Sequence, residues 1–320
     1  MGMKFNFKNK NNRESLKNIN FFILKKLFFF ISIVYLIYCL KININNISLG
    51  IDVAAFKFHI ILSFVFCILS IFFNAYAWAN ITSWLGYKGS INKLVSFYIL
   101  TNSLKYIPGG IWHFYERFNY LKNRTNKYIS FYSILLEPYI MLTCSLLIAS
   151  FGIYYSPIFI IFLIPAIFLN EKLIYYILFK LEIIKNKSIN LFKTPNSKLE
   201  LYSKIKLQSF FPIKSLVIEL LFICSKFSSF IICFSIFNQN NVQNNLVLLI
   251  VFCLSWSIGL IVPAAPGGLG VFEASFIFFM SEDIPQSSTI EGLIYFRLMS
   301  TISDLIFSAP FLMKRTLKKS

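Results

Sequence analysis

Charge is what this sequence has least of: 14% of its 320 residues are Asp, Glu, Lys or Arg, and only 13 of those are acidic. Soluble domains carry about a quarter charged residues, so a charged, water-facing shell is missing. Histidine is scarcer still. His59 and His113 stand far apart with no neighbouring ligand cluster, and no loop gathers acidic residues, so no metal is expected. The six cysteines, Cys39, Cys67, Cys144, Cys224, Cys233 and Cys253, form no CxxC pair and all lie in apolar segments. That scatter fits buried thiols better than disulfides or zinc ligands. Neither a catalytic triad nor the paired carboxylates of a glycosidase stand out. Gly267-Gly-Leu-Gly270 lacks the third glycine and the preceding strand of a dinucleotide loop, and no cofactor is expected.

What is present is apolar and aromatic: 57% of residues are hydrophobic and 18% are Phe, Trp or Tyr. The apolar residues fall in blocks separated by short basic segments. Ile60 to Phe73, Ile129 to Tyr155, Pro157 to Leu169, Val242 to Pro266 and Leu293 to Met313 carry few charges or none. A helix needs about 20 such residues to cross the hydrocarbon core. The expected fold class is an all-α polytopic integral membrane protein. Leu27 to Leu40 is followed by Lys41-Ile-Asn-Ile-Asn-Asn46, which offers no small-residue cleavage site, so it reads as an uncleaved first crossing.

The formal net charge of +18 would point to nucleic acid in a soluble protein. In a membrane protein it reports topology instead, because Lys and Arg collect in cytoplasmic loops. Residues 1–26, 80–128 and 180–212 each hold seven Lys or Arg, and the tail after Met313 holds four. The segments around Tyr155, at 238–245 and at 281–289 hold none. Both termini are therefore expected in the cytoplasm, in a cell (inner, cytoplasmic) membrane. The expected organisation is a basic segment at 1–19, one transmembrane domain at 20–313 with a cytoplasmic loop near 185–206, and a basic tail at 314–320.

This orientation calls for about six full crossings, near 20–40, 58–79, 129–151, 156–179, 213–237 and 290–312. Two apolar regions remain, 91–116 and 246–281, each starting and finishing on one side. Each contains a helix-breaking Pro-Gly-Gly: Pro108-Gly109-Gly110 and Pro266-Gly267-Gly268. Freed backbone groups at membrane depth survive only where protein buries them or a wet cavity meets them. Two re-entrant or broken hairpins are expected, though the second region is long enough to span fully. The breaks lie 158 residues apart, about half the chain. That placement is the pattern of an inverted repeat whose discontinuous segments mark a substrate site.

Charges inside the apolar blocks are the second signal, since each costs about 2.5–3.5 kcal/mol to insert. Arg117 follows the first break by nine residues and Glu137 by 29; Glu273 follows the second by seven and Arg297 by 31. Glu219 with Lys226, and Arg297 with Asp304, are spaced i, i+7 with opposite signs, so each pair shares a helix face. The candidate substrate-binding set is Pro108, Gly109, Gly110, Arg117, Glu137, Pro266, Gly267, Gly268, Glu273 and Arg297. Arginine there suits a lipid phosphate through its two-donor fork. The aromatics are expected mostly at lipid or interfacial positions, with Trp78, Trp84 and Trp112 in a belt at the cytoplasmic side.

Leu104-Lys-Tyr-Ile-Pro-Gly-Gly-Ile-Trp112 with Arg117 and Glu137, and Pro266-Gly-Gly-Leu-Gly-Val-Phe-Glu273 with Tyr295-Phe-Arg297-Leu, resemble the transmembrane region of the lysylphosphatidylglycerol synthases, the flippase-like domain family. The likeness covers about residues 20 to 315, and the second motif is the more specific. It implies a stand-alone membrane protein, not an enzyme, that moves a lipid or lipid-linked molecule between leaflets. The soluble aminoacyl-transfer domain of the full-length synthases is not expected here. The implied partners are membrane lipids with an anionic or lipid-linked headgroup, with no nucleic acid; a homo-oligomer stays open. Two rival readings remain. One is a membrane-embedded transferase or accessory subunit for lipid-linked sugars, with Glu137 or Glu273 as acid or base. The other is a structural, partner-binding subunit.

The orientation is directly testable. In a variant without reactive native thiols, Asn240→Cys and Ser287→Cys should both react with an impermeant reagent added outside cells. Labelling of both only from the inside would reverse the topology.

Overall fold

A computed structural model describes residues 53–107, 110–167, 169, 212–237, 245–262, 268, 270–280 and 286–317. The described residues are about 90% helical and contain no strand. Eight helices organise them. They are α1 (Val53–Trp84), α2 (Ile91–Thr101), α3 (Trp112–Lys122), α4 (Lys127–Ala149), α5 (Ile213–Phe237), α6 (Asn245–Ile261), α7 (Val271–Phe279) and α8 (Gln286–Leu317).

Three spans, Lys57–Trp84, Lys127–Tyr154 and Ile213–Phe237, are long and apolar enough to cross a membrane. These are the second, third and fifth of the expected crossings. The protein is a helical membrane protein. The expected crossing at 20–40, the basic segment at 1–19 and the loop at 185–206 lie outside the described residues. So do 318–320 and, up to Asn245, the segment at 238–245 that is expected to face outward. The last expected crossing falls within α8, a single 32-residue helix that carries Glu291, Arg297 and Asp304. The fourth begins differently from a regular crossing. Pro157–Leu163 is a 3-10 run, followed by one α-helical turn at Ile164–Ile167. Pro165 lacks a backbone donor within the segment, which keeps it from a continuous α-helix, whereas Pro157 at its first position is well tolerated.

The helices are inside-out relative to soluble ones. On α1 the exposed residues Phe58, Ile61, Val65, Leu69, Phe72 and Tyr76 recur every three or four positions. The buried face of the same helix carries Ser63, Ser70 and Asn74. On α8, Ile294, Leu298, Ile302 and Leu305 are exposed, whereas Ser300, Ser303, Asp304 and Ser308 are buried. An apolar exterior around a polar interior is what a hydrocarbon solvent selects.

Packing then relies on small and polar contacts, because lipid gives no hydrophobic drive between helices. α1 lies against α5, its most extensive partner. Ser63 Oγ meets Ser229 Oγ at 2.8 Å and Cys233 Sγ at 3.0 Å, and Cys67 Sγ meets Ser229 Oγ at 3.0 Å. The cysteine expectation holds for Cys67, Cys144, Cys233 and Cys253, which are free and buried; Cys224 is exposed.

Aromatic rings do more inside than the sequence implied. Phe230, Phe252, Phe276 and Phe296, from α5 to α8, form one cluster, with Phe230 to Phe276 centroids 4.9 Å apart. Trp78 and Trp84 are also buried, at 0% and 5% exposure, which corrects their assignment to an interfacial belt. Trp112 is exposed. Edge-to-face ring packing supplies contact energy that hydrophobicity cannot supply in lipid.

The two leftover regions are each helix–break–helix. α2 continues through a 3-10 turn at Asn102–Tyr106, breaks, and resumes as α3; α6 breaks after Ile261 and resumes as α7. Pro108, Gly109, Pro266 and Gly267 lie outside the described residues. The last glycine of each break is described, and both are left-handed: Gly110 has φ 62° and Gly268 φ 72°. Only glycine adopts that conformation without a Cβ penalty. Gly110→Ala and Gly268→Ala should therefore each lower stability by about 1–2 kcal/mol. Gly259→Ala, whose Cβ would meet Phe272 at an ordinary 3.6 Å, should be neutral or better. Thermal unfolding in detergent compares the three.

Candidate functional site

Both breaks open onto one cavity of about 380 Å³, to which Gly110 and Gly268 each contribute wall. Four cations line it, Lys105, Arg117, Lys226 and Arg297, together with Glu137 and Asp304. Of the ten residues expected at the site, Gly110, Arg117, Glu137, Gly268 and Arg297 lie on this wall. Glu273 sits directly behind Arg297.

The first charged pair joins α3 to α4. Arg117 Nη1 donates to Glu137 Oε1 and Oε2 at 2.9 and 3.0 Å, and Tyr98 donates its hydroxyl to Oε1 at 2.7 Å. The guanidinium lies 3.5 Å over the Tyr98 ring, and its Nε donates to Thr101 Oγ1 at 3.3 Å. Arg117 is fully buried. Pro138 follows Glu137 inside α4, so the carbonyl of Ile134 lacks its usual helical donor beside the cavity.

The second pair joins α7 to α8. Arg297 Nε donates to Glu273 Oε1, and its Nη2 donates to the Gly268 carbonyl at 3.3 Å. Glu273 Oε2 accepts from the Gly270 backbone N–H at 2.7 Å, so the carboxylate caps α7 while pairing with the arginine. The Arg297 guanidinium lies 4.8 Å from the Phe272 ring centroid. The two pairs occupy matching places after their breaks with the signs exchanged. In the first half the arginine comes early and the glutamate late; in the second the order is reversed.

A third cluster ties the first hairpin to α8. Asp304 accepts from Lys105 Nζ at 2.8 Å, Asn102 Nδ2 at 2.6 Å and Tyr106 Oη at 2.6 Å. Beyond it, Ser308 donates to the Ile99 carbonyl at 2.9 Å and accepts from the Ser103 N–H at 3.1 Å.

These contacts replace the same-helix pairings suggested by the i, i+7 spacing. Two turns of helix rise about 10.5 Å, too far for a salt bridge. Arg297 pairs with Glu273 and Asp304 with Lys105. Lys226 donates to Ser300 Oγ at 2.7 Å, while neither carboxylate oxygen of buried Glu219 has a hydrogen-bond partner among the described residues. Sequence reasoning left Lys105, Lys226, Asp304, Asn102 and Tyr106 out of the site. Lys105-Tyr106 stood in plain sight just before the first break. Lys226 and Asp304 were visible as intramembrane charges, but their partners lie on other helices.

Searches against protein-family models and against curated proteins return no match for this chain.

The Arg117–Glu137 pair makes a clear energetic prediction. Removing one partner of a buried pair costs about 3–5 kcal/mol, whereas replacing both with apolar residues is often tolerated. Glu137→Leu alone should strongly depress the unfolding temperature in detergent. Adding Arg117→Met should restore most of the loss, and failure to do so would assign the penalty to packing.

Proposed function

We propose that this protein carries a lipid, or a lipid-linked molecule, between the two leaflets, holding the headgroup in the cavity while the acyl chains stay in the bilayer. The observation that supports this reading best is the cavity itself, bounded by both breaks and by four cationic side chains. Its volume, about 380 Å³, sits at the small end of ligand pockets, enough for a headgroup and not for a whole lipid. The cations favour an anionic headgroup, and broken hairpins are where transporters expose backbone to a substrate. The resemblance of both Pro-Gly-Gly motifs to the flippase-like family points the same way.

On this reading the chain makes six crossings in a cell membrane, with cytoplasmic termini and two hairpins entering from opposite faces. The sign-exchanged pairs Arg117–Glu137 and Glu273–Arg297 are the internal signature of an inverted repeat. The protein then acts as a carrier rather than an enzyme, alternating which hairpin seals the cavity.

Reconstitution tests this. In vesicles carrying a fluorescent lipid and an impermeant quencher, the protein should speed leaflet exchange well above protein-free vesicles for at least one anionic lipid in a headgroup panel. Arg297→Lys should slow it, because the charge remains but the planar fork that also holds Glu273 and the Gly268 carbonyl is lost. Exchange no faster than in empty vesicles across the panel would reject the carrier reading.

A further inference from the structure

Charge does not balance on the cavity wall, and the imbalance has an address. Three of the four cations are neutralised: Lys105 by Asp304, Arg117 by Glu137 and Arg297 by Glu273. Lys226 is different. Among the described residues it has no carboxylate within salt-bridge distance, and its ammonium donates to the Ser300 hydroxyl at 2.7 Å. Asp304 is within electrostatic range of Lys226, but Lys105, Asn102 and Tyr106 occupy its oxygens. Glu219, on the same helix, lies two turns away and off the cavity wall.

Lys226 is 3% exposed. An ammonium carries three donors and the structure shows one of them spent. An uncompensated buried charge is costly, so such a residue beside a cavity calls for an anion in that cavity. A second observation points into the same space. Arg117 Nη2, on a fully buried residue of the cavity wall, has no acceptor among the described residues. Asn74 Oδ1, also on the wall, has no donor among the described residues.

We infer that Lys226, braced by Ser300 and aided by the Nη2 of Arg117, is the anchor for the phosphodiester of a headgroup with net charge −1, one that carries no balancing cation of its own. The other three wall cations each already hold a carboxylate, so Lys226 is the one left to face a ligand, and a single cation matches a phosphodiester monoanion better than a phosphate monoester dianion. The phosphoryl oxygens accept from both cations, and Asn74 Oδ1 is placed to accept from a hydroxyl of the headgroup. That the phosphodiester belongs to a membrane lipid rests on the carrier reading; the anion site itself does not.

The test uses the full chain in nanodiscs of zwitterionic choline lipid. Binding of short-chain phosphatidylmethanol, a monoanionic phosphodiester with a minimal headgroup, is compared with short-chain phosphatidylcholine and with inorganic phosphate. Wild type should prefer phosphatidylmethanol. Lys226→Met should weaken its binding by at least about tenfold, and Lys226→Arg should largely preserve it. Lys226→Met should also unfold at the same temperature or higher, because it removes an unpaired buried charge; a purely structural lysine would instead leave a less stable protein with unchanged binding. If the methionine variant does not fold, Lys226→Gln, which keeps a donor toward Ser300, carries the same comparison. Unchanged binding in the folded uncharged variant, or no preference in wild type, overturns the site. Tight inorganic phosphate binding that competes with the lipid and is lost in Lys226→Met supports the anion site and rejects a lipid as its occupant. Leaflet exchange separates the two ideas: exchange intact in Lys226→Met sinks the anchor alone, whereas binding without exchange in wild type sinks the carrier alone.

Discussion

Everything in this fold follows from placing charge where no water can reach it. An isolated ion in hydrocarbon is costly to keep, so buried charges are driven to pair within the protein, Glu219 and Lys226 being left without a counter-charge among the described residues. Glu137 finds Arg117, Glu273 finds Arg297, and Asp304 finds Lys105, Asn102 and Tyr106. Each cluster bridges different helices rather than neighbours on one helix. The ion pairs therefore act as long-range staples: α3 to α4, α7 to α8, and the first hairpin to α8. The apolar stripes of α1 and α8 then face outward, because the polar residues have taken the interior.

The same constraint explains why the breaks sit where they do. A chain that stops being helical exposes backbone donors and acceptors, and these must be met locally. At the second break the Gly268 carbonyl is met by Arg297 and the Gly270 N–H by Glu273, the two residues that also pair with each other. Loss of either charge would leave both the opposite charge and a backbone group unmet. The break and the ion pair are one unit, and its position at the cavity wall couples the hairpin's shape to whatever occupies the cavity.

The fold class was legible because length and apolarity act locally: α1, α4 and α5 are where the apolar blocks of the sequence put them. The breaks were legible for the same reason, since Pro-Gly-Gly changes the backbone regardless of its neighbours. Partner choice was not. Spacing of i, i+7 shows which face a residue occupies, and Arg297 and Asp304 do both reach the cavity wall from α8. It says nothing about which other helix presents the counter-charge. The matched offsets of Arg117 with Glu273, and of Glu137 with Arg297, held the answer in a form that reads only once the pairs are seen within each half. The aromatic residues were misplaced for a related reason: in lipid, composition does not separate a core ring from a lipid-facing one, and Trp78 and Phe230 are buried.

Exchange of sign between the two halves has a consequence for movement. In the proposed carrier, two sign-exchanged pairs on one cavity would offer two alternative seals, as a switch between two states requires. A third cluster adds to the first of these seals. Asp304 binds the first hairpin to α8 through three donors, and Ser308 adds two backbone contacts just beyond. The second break is tied to α8 by the Arg297–Glu273 pair, by the Arg297 bond to the Gly268 carbonyl and by the Phe272–Phe296 ring contact. An anion arriving beside Lys226 stands next to Ser300, one turn before Asp304 on α8. Substrate charge and the Asp304 cluster therefore share one helical turn. In the proposed carrier, a phosphoryl group held by Lys226 would reach the first break through this turn of α8, which Ser300 shares with Asp304.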